Sequence, residues 1–345
     1  MYNVGIIGLG HISSTYCTLE SEYPYCHTGG IRFARNVRVA AVADLKSEAR
    51  EDYRARWGNA LGSYNMYNSD VEMLEKQKDL DIVAVCVRGP DHFEVTRRVI
   101  EYAPRAIFLE KPPSCSLAEM DELVRLAAEK GTILTVSYTR HWSPRVMYTE
   151  KLIKEGIIGD VTHVTTYSAG SVLSFGIHST DLLCQFAGYC PKSVLAYGEI
   201  SDLDDEIRSR GYHPEPQMNA ALVEFENGIL GTQLKMPGEY GEFVAEIFGT
   251  EGWAKAGIYT ETKIKTNKDG ELDISKLGFP VGKSPFTVAY DQIADYLDGG
   301  PLPDCTDANF QIVNELGFAM AESIRTGQKV MLPCADREFK IYANG

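Results

Sequence analysis

The first half of the chain alternates short apolar segments with amphipathic ones. The segment 117–130 carries its apolar residues on one face, which predicts a helix, and Gly131 can end it. Ser116 and Glu119 have the spacing of a capping box at the start of this helix. Five apolar segments predict strands that helices cover on both faces: 3–8, 37–43, 82–87, 106–109 and 132–136. This alternation predicts an α/β fold with a doubly wound parallel sheet.

The pattern changes after residue 137, where longer strand-like segments replace the alternation. A helix is predicted over 144–155. Asn227 and Gly228 are typical of a tight hairpin turn, because Asn-Gly supplies the positive φ that such a turn needs. The strand candidates are 161–167, 194–199, 220–226, 229–236 and 243–248. Hairpins followed by helices predict an α+β domain with a mostly antiparallel sheet and helices on one face.

Two amphipathic helices are predicted near the end of the chain, over 287–297 and 308–325. The charged segment 202–217 is predicted to be a loop or an insertion, since it also contains prolines. We therefore expect an α/β domain with the doubly wound sheet over 1–137 and an α+β domain over 138–345.

Composition and charge narrow the classes of function. The 345 residues suffice for two hydrophobic cores, and a net charge of −14 repels a phosphate backbone, so we expect no nucleic-acid partner. No apolar run approaches the roughly 20 residues that span a bilayer. The first ten residues lack the basic start of a signal peptide. We therefore expect no membrane partner and a cytoplasmic protein.

The cysteines and histidines give no support for a metal site. Eight cysteines are present, none in a C-x-x-C pair, and we expect them to be reduced and buried, as in a cytoplasmic protein. Five histidines show no metal-ligand spacing: His11, His27, His141, His163 and His213. We therefore expect no bound metal.

A glycine-rich turn follows the first predicted strand and opens a helix. Gly8 and Gly10 occupy the first two positions of the G-x-G-x-x-G fingerprint, and Ser13 occupies the third. Gly8 permits the tight turn, Gly10 lets a diphosphate approach the backbone, and a small Ser13 allows the helix to pack on the strand. We expect His11 and Ile12 to contact the cofactor, because the helix start faces the diphosphate.

Asp44 ends the second predicted strand, where an acidic residue hydrogen-bonds the ribose hydroxyls of NAD. We therefore expect NAD as the cofactor in preference to NADP. An alternative is that Asp44 caps the next helix, and both roles can hold. Asp44 lies 36 positions after Gly8, a longer spacing than usual, which an enlarged loop over 22–36 would explain. That loop could reach over the active site or be surface decoration.

Glu110, Lys111 and Pro112 close the strand 106–109. With the glycine-rich turn, this motif resembles the glucose–fructose oxidoreductase/inositol dehydrogenase (Gfo/Idh/MocA) family. The resemblance continues over nearly the whole chain, in Gly176-Ile177-His178-Ser179-Thr180-Asp181, Phe225-Glu226-Asn227-Gly228, Phe248-Gly249-Thr250-Glu251-Gly252 and Gly299-Gly300-Pro301-Leu302-Pro303.

The resemblance implies a Rossmann domain joined to an open-faced sheet domain, with sheets that often pair into homodimers or homotetramers. It implies a sugar, an inositol or a related polyol as substrate. Lys111 would be the catalytic lysine and His178 the active-site histidine. The other residues it implies lie at the cofactor, namely Pro90, His92 and Glu110, or at the substrate, namely Arg140, Trp142 and Ser174.

One departure from the family pattern concerns the residue two positions before Gly176. The family often has an aspartate there, and this chain has Ser174. We therefore expect the carboxylate beside His178 to be missing. Lys111 and His178 would then carry most of the proton transfer, with Ser174 making at most a hydrogen bond to the substrate.

Non-catalytic interpretations of the two candidate catalytic residues remain open. Lys111 could be a solvated surface lysine, although it directly follows a buried strand. His178 could be a structural histidine that caps its helix through Asp181. The function that we expect is an NAD-dependent dehydrogenase acting on a polyol. An enzyme that retains NAD while it cleaves or epimerises a sugar, and a non-catalytic dinucleotide sensor, are the alternatives.

Overall fold

A computed structural model describes residues 1–168, 170–236, 243–259, 261–280 and 282–344. The chain divides into two compact units. The first unit comprises Met1–Ser114, Glu119–Ser137 and Gly282–Asp307, and the second comprises Cys115–Ala118, Tyr138–Val281 and Ala308–Gly345.

The elements follow one another as short strands and helices. The strands are β1 (Tyr2–Ile7), β2 (Val37–Ala43), β3 (Asn65–Tyr67), β4 (Ile82–Val85), β5 (Ala106–Leu109), β6 (Ile133–Val136), β7 (Val161–Ser168), β8 (Pro191–Ile200), β9 (His213–Pro214), β10 (Pro216–Phe225), β11 (Leu230–Lys235), β12 (Val244–Gly249), β13 (Gly252–Gly257), β14 (Lys263–Thr266), β15 (Gly270–Glu271), β16 (Val330–Met331) and β17 (Ile341–Tyr342). The α-helices are α1 (His27–Phe33), α2 (Ser47–Trp57), α3 (Asp70–Lys76), α4 (Gly89–Tyr102), α5 (Leu117–Lys130), α6 (Pro144–Lys154), α7 (Ile177–Ala187), α8 (Asp205–Ser209), α9 (Pro285–Leu297) and α10 (Asp307–Thr326).

The first unit is built on a parallel sheet with strand order β3-β2-β1-β4-β5-β6. The strand order reverses between β1 and β4, which is the position where sheets of this type bind their ligands. The five strands predicted from apolar segments are all present, and so is the helix over 117–130. The edge strand β3 was not predicted, because Asn65–Tyr67 is short and only half buried.

Helix α9 belongs to the first unit, so the expected boundary at 137/138 is wrong for residues 282–307. The helix packs on α1, where a Cβ atom on Gly30 would lie 2.4 Å from the Cβ of Phe286. Asp291 accepts a hydrogen bond from the backbone N–H of Arg35 at 2.7 Å. These contacts join segments far apart in the sequence, and no local pattern could reveal them. Cys115–Ala118 depart from the expected boundary in the opposite sense and belong to the second unit.

The second unit contains a nine-stranded sheet with the order β15-β14-β13-β12-β7-β11-β10-β8-β16. Its pairs are antiparallel except for β7 with β11, which confirms the expectation of a mostly antiparallel sheet. The predicted hairpin at Asn227 and Gly228 joins β10 to β11, and Gly228 has φ +85°. The segment 202–217 is not wholly a loop, because it contains α8, β9 and the start of β10.

Helices α7 and α10 cover one face of this sheet. A Cβ atom on Gly231 of β11 would lie 2.9 Å from Leu183 of α7, and the hydroxyl of Ser323 in α10 accepts a hydrogen bond from the backbone N–H of Ala196 in β8. On the other face, large apolar side chains are exposed: Tyr197, Leu222, Leu230, Leu234 and Phe248. Among the helices that the structure describes, none is long and apolar enough to cross a membrane.

The segment after the glycine-rich turn differs from two expectations, namely the position of the enlarged loop and the reduced state of the cysteines. A single π-helical turn spans His11–Thr15, and α1 begins only at His27. A disulfide joins Cys17 to Cys26 between them. The extra residues therefore lie at 16–26, which the expected loop over 22–36 overlaps only at 22–26. The expectation that all eight cysteines are reduced is wrong for the Cys17–Cys26 pair.

Candidate functional site

The glycine-rich turn of the first unit leaves its backbone accessible. Gly8 has φ +89°, and a Cβ atom there would lie 2.6 Å from the carbonyl oxygen of Cys86, so no other residue fits. At Gly10, by contrast, a Cβ atom would meet nothing within 4 Å. The space beside Gly10 is open, as the approach of a diphosphate requires.

The residues after Gly10 close the turn. Ser13 is fully buried, and its hydroxyl donates to the carbonyl of Gly10 at 3.0 Å, so its small size is used as expected. His11 is exposed and stacks on Tyr16, while Ile12 is half-buried. Both lie beside the open space at Gly10 in sequence, and their contact with the cofactor stays a prediction.

Asp44 is bonded to the glycine-rich turn itself. One carboxylate oxygen accepts from the backbone N–H of Leu9 at 2.7 Å, and the other accepts from the N–H of Lys46 at 2.8 Å. The N-cap of α2 is Lys46, so Asp44 does not cap this helix. The side chain joins the end of β2 to the turn and retains lone pairs for ribose hydroxyls.

Glu110 lies in a buried network that sequence reasoning missed. Its Oε1 is 3.0 Å from Nε2 of His27, and Nδ1 of His27 is 2.8 Å from the hydroxyl of Tyr290. Burial by itself raises the pKa of Glu110, but the hydrogen bond and charge of His27, the charge of Lys111 and a hydrogen bond from Ser137 together leave this pKa below its ordinary value. Glu110 is therefore a buried, ionised carboxylate.

Lys111 follows Glu110 at the carboxyl end of β5 and is half-buried. This position differs from that of a fully solvated surface lysine. The pKa of Glu110 is lowered in part by the charge of Lys111, so the two side chains interact. The ionised Glu110 therefore favours the ammonium form of Lys111.

Pro90 and His92 lie in the first turn of α4, which begins at Gly89. His92 is buried, and its two ring nitrogens lie 2.6 Å from the carbonyl oxygen of Pro112 and 2.9 Å from that of Val87. Burial lowers the pKa of His92, and the two carbonyl contacts offset only part of this effect. His92 therefore packs against the backbone around Lys111, and its contact with the cofactor stays a prediction.

In the second unit, Ser174 lies in the turn that leads into α7, and His178 is the second residue of that helix; both are buried. Position 174 carries no carboxylate, but a carboxylate from elsewhere in the chain reaches this turn. The hydroxyl of Ser174 donates to Oε2 of Glu215 at 2.6 Å. Glu215 is 41 residues away in the sequence, within the segment interpreted as a loop, so no local motif could point to it.

Phe243 joins two of the predicted site residues. The guanidinium carbon of Arg140 lies 4.0 Å from the centre of the Phe243 ring. The ring of His178 meets the same ring edge-on, with centroids 5.3 Å apart. The second unit therefore brings a guanidinium cation and an imidazole into contact with the same aromatic ring.

Trp142 and Asp181 are two further residues of the sequence motifs, and both are buried. Trp142 is fully buried, and its contact with substrate stays a prediction. Asp181 is also fully buried, and its carboxylate lies 3.3 Å from Nδ1 of His141. This contact with His141 gives Asp181 a partner that the capping interpretation of His178 did not foresee.

Comparison with known proteins extends this description. Residues 2–138 match the family model GFO_IDH_MocA, an oxidoreductase family with an NAD-binding Rossmann fold. The chain is 24% identical to the myo-inositol 2-dehydrogenase of Thermotoga maritima over 95% of this chain and 98% of that protein. It is 25% identical to the scyllo-inositol 2-dehydrogenase (NAD(+)) of Bacillus subtilis over 86% of this chain and 89% of that protein. The solved structure of scyllo-inositol dehydrogenase from Lactobacillus casei, with NAD(H) and scyllo-inositol, has a TM-score of 0.70 at 16% identity and covers 96% of this chain and 98% of its own.

Proposed function

We propose that the chain, whose residues 2–138 match the oxidoreductase family model GFO_IDH_MocA, is a Gfo/Idh/MocA family member that oxidises a hydroxyl carbon of a sugar, an inositol or a related polyol with NAD. The observation that carries this proposal is the glycine-rich turn, which is open at Gly10 and bonded to Asp44. It lies at the end of β1, beside the reversal of strand order in the parallel sheet. The two relatives compared above by sequence are inositol 2-dehydrogenases, which supports a polyol as substrate.

The residues of the first unit fit a dinucleotide. The turn at Gly8 and Gly10 would hold the diphosphate, and Asp44 would accept hydrogen bonds from the ribose hydroxyls. His11 and Ile12 would contact the diphosphate beside them. When bound, NAD accepts the hydride from the alcohol carbon.

Lys111 and His178 would divide the remaining chemistry. Lys111, held as a cation by the ionised Glu110, would stabilise the alkoxide that develops on the substrate oxygen. His178 would accept the hydroxyl proton, since an imidazole titrates near neutral pH. Arg140 would bind a substrate oxygen, with its guanidinium plane oriented by Phe243.

A substrate panel tests the proposal. Purified protein is incubated with free NAD and with inositols, sugars and sugar acids, and NADH absorbance is followed. Net formation of NADH with at least one polyol is the expected result. NAD that copurifies and is never released as NADH, while sugar is converted, would favour the NAD-retaining alternative. Binding of NAD without any turnover would favour the sensor.

Replacement of Lys111 tests its role separately. Lys111→Ala should lower kcat by about 10²–10⁴-fold, because a group that acts on the reacting oxygen is removed. The affinity for NAD, measured by calorimetry, should change little. Lys130→Ala, at an exposed lysine that ends α5, is the matched control and should keep its turnover. Near-normal turnover of Lys111→Ala would refute the assignment.

A further inference from the structure

A carboxylate from a distant segment holds the turn before α7. Glu215 Oε1 accepts hydrogen bonds from the backbone N–H groups of Leu173 and Ser174, each at 2.6 Å. Its Oε2 accepts a hydrogen bond from the hydroxyl of Ser174. Both oxygens of one side chain are therefore directed at two adjacent residues, and hydrogen bonds to an ionised acceptor are the strong ones.

The backbone fixes Glu215 in this position. The segment that follows it runs antiparallel to the segment before Leu173. Val172 N–H donates to the carbonyl of Pro216 at 3.1 Å, and Met218 N–H donates to the carbonyl of Gly170 at 3.0 Å. An isolated bridge pairs Ser171 with Gln217 between them. The carboxylate is thus placed by main-chain pairing and not by a flexible side chain alone.

The same turn delivers His178. Gly176 N–H donates to the carbonyl of Ser171 at 2.7 Å, and His178 N–H donates to the carbonyl of Phe175 at 3.2 Å. The amide of Gln233 donates to the carbonyl of Gly176 at 2.9 Å. His178 is the second residue of α7, so its backbone is set by a turn whose other end is bonded to Glu215.

We propose that Glu215 is a positioning residue for His178 that acts through Ser174. A serine hydroxyl has one proton and two lone pairs. Since the Ser174 hydroxyl donates its one hydrogen bond to Glu215, its oxygen can only accept a hydrogen bond from any further partner, whether a substrate hydroxyl or an imidazole N–H. The Glu215–Ser174 pair thereby supplies the acceptor and the negative charge that an aspartate at position 174 would supply. This inference rests on the proposed function of His178.

The substitution Glu215→Gln tests the direction of this hydrogen bond. The amide oxygen of glutamine can still accept from the two backbone N–H groups, but its NH₂ group must then face Ser174. The Ser174 hydroxyl would become the acceptor of that bond, and its proton would turn toward the site. We expect kcat to fall about ten- to hundredfold, with a smaller change in KM. Glu199→Gln, at an exposed carboxylate on β8, is the control and should leave kcat unchanged.

A double-mutant cycle with Ser174→Ala shows whether the two residues act as one unit. If Glu215 acts through Ser174, the double variant should be no slower than the slower single variant. Ser174→Ala keeps both backbone donors to Glu215, so it preserves the turn. If the fold-decreases in kcat of the two single variants multiply in the double variant, the inference is overturned.

A spectroscopic measurement separates this inference from the proposed function. The imidazole proton resonances of His178, identified by their loss in His178→Asn, should shift in Glu215→Gln and in Ser174→Ala but not in Glu199→Gln. Unmoved resonances would overturn the positioning role. If the wild-type protein oxidises no polyol while the resonances shift as expected, the proposed function fails and the positioning role stands.

Discussion

At the scale of the residue, Asp44 combines two tasks in one carboxylate. Its bond to the Leu9 N–H organises the glycine-rich turn, and its charge would repel the 2′-phosphate of NADP. The neighbouring Arg50 donates to the Asp44 carbonyl at 2.6 Å and lies close enough along the chain to favour a phosphate once that charge is gone.

Asp44→Asn should therefore separate the two tasks, because asparagine keeps an acceptor oxygen for Leu9 while it loses the charge, together with the acceptor that faces the Lys46 N–H. We expect the preference for NAD over NADP, measured as a ratio of Kd values by calorimetry, to fall at least about tenfold, which corresponds to about 1.4 kcal/mol. Asp52→Asn, on the solvent side of α2, should leave the ratio as it is. Wild-type protein that binds NADP as tightly as NAD would contradict the role of Asp44.

Glu110 should make stability depend on pH. Its folded-state pKa lies below the ordinary value of 4.5, so its contribution is complete above that value and is lost as the pH falls through the lowered pKa. Glu110→Gln should lower the free energy of unfolding at pH 7 by about 3 kcal/mol, because one partner of a buried pair is removed. The difference in unfolding free energy between Glu110→Gln and the wild type should become smaller below about pH 4.

Thermal or denaturant unfolding over a pH series measures this difference. Glu129→Gln removes an exposed carboxylate that pairs with Arg125, and its effect should be small at every pH. A Glu110→Gln deficit that stays constant down to pH 2 would show that its cause is packing and not charge.

At the scale of the element, the contact between α1 and α9 depends on Gly30. Alanine in a helix interior is favoured over glycine by about 1 kcal/mol. Here, however, the added Cβ would lie 2.4 Å from Phe286. Overpacking of this kind typically costs about 1–3 kcal/mol, so we expect Gly30→Ala to destabilise the protein despite its better helix propensity.

Gly282→Ala is the matched control in the same unit, because its Cβ would have no neighbour closer than 3.7 Å. Thermal unfolding of the two variants should show a lower Tm for Gly30→Ala alone. An unchanged or higher Tm for Gly30→Ala would mean that α9 moves away from α1 at little cost.

At the scale of the whole molecule, the uncovered face of the nine-stranded sheet is apolar across several strands. Tyr197 and Leu234 flank Ala220 in one row, and Leu230 and Phe248 flank His163 in another. Contiguous exposed apolar surface of this kind marks interaction sites. We propose that this face pairs with a second copy of the chain, in a homodimer or a homotetramer.

The charge-introducing variant Leu222→Glu tests this pairing, since Leu222 is an exposed residue of β10 on this face. Light scattering should give an oligomer for the wild type and a smaller species for Leu222→Glu. Leu302→Glu, at an exposed leucine of the first unit, should keep the wild-type mass. A monomeric wild type at micromolar concentration would refute the interface.

The sequence by itself determined most of the elements and the nucleotide motif. Strands such as Val37–Ala43 are nearly continuous apolar segments, and the glycine-rich turn needs only neighbouring residues, so local patterns suffice to predict both. Lys111 could likewise be placed at a strand end, because an apolar strand directly precedes it.

Only the tertiary structure decided which distant side chains meet. His27 reaches Glu110 across 83 positions, Tyr290 reaches His27 across 263, and Glu215 reaches Ser174 across 41. It also assigned α9 to the first unit and buried Trp142. Periodicity reports which face of an element is apolar, but not which other element covers that face. Partners of buried polar groups, which must be satisfied once water is excluded, are therefore set by the packing of the whole chain.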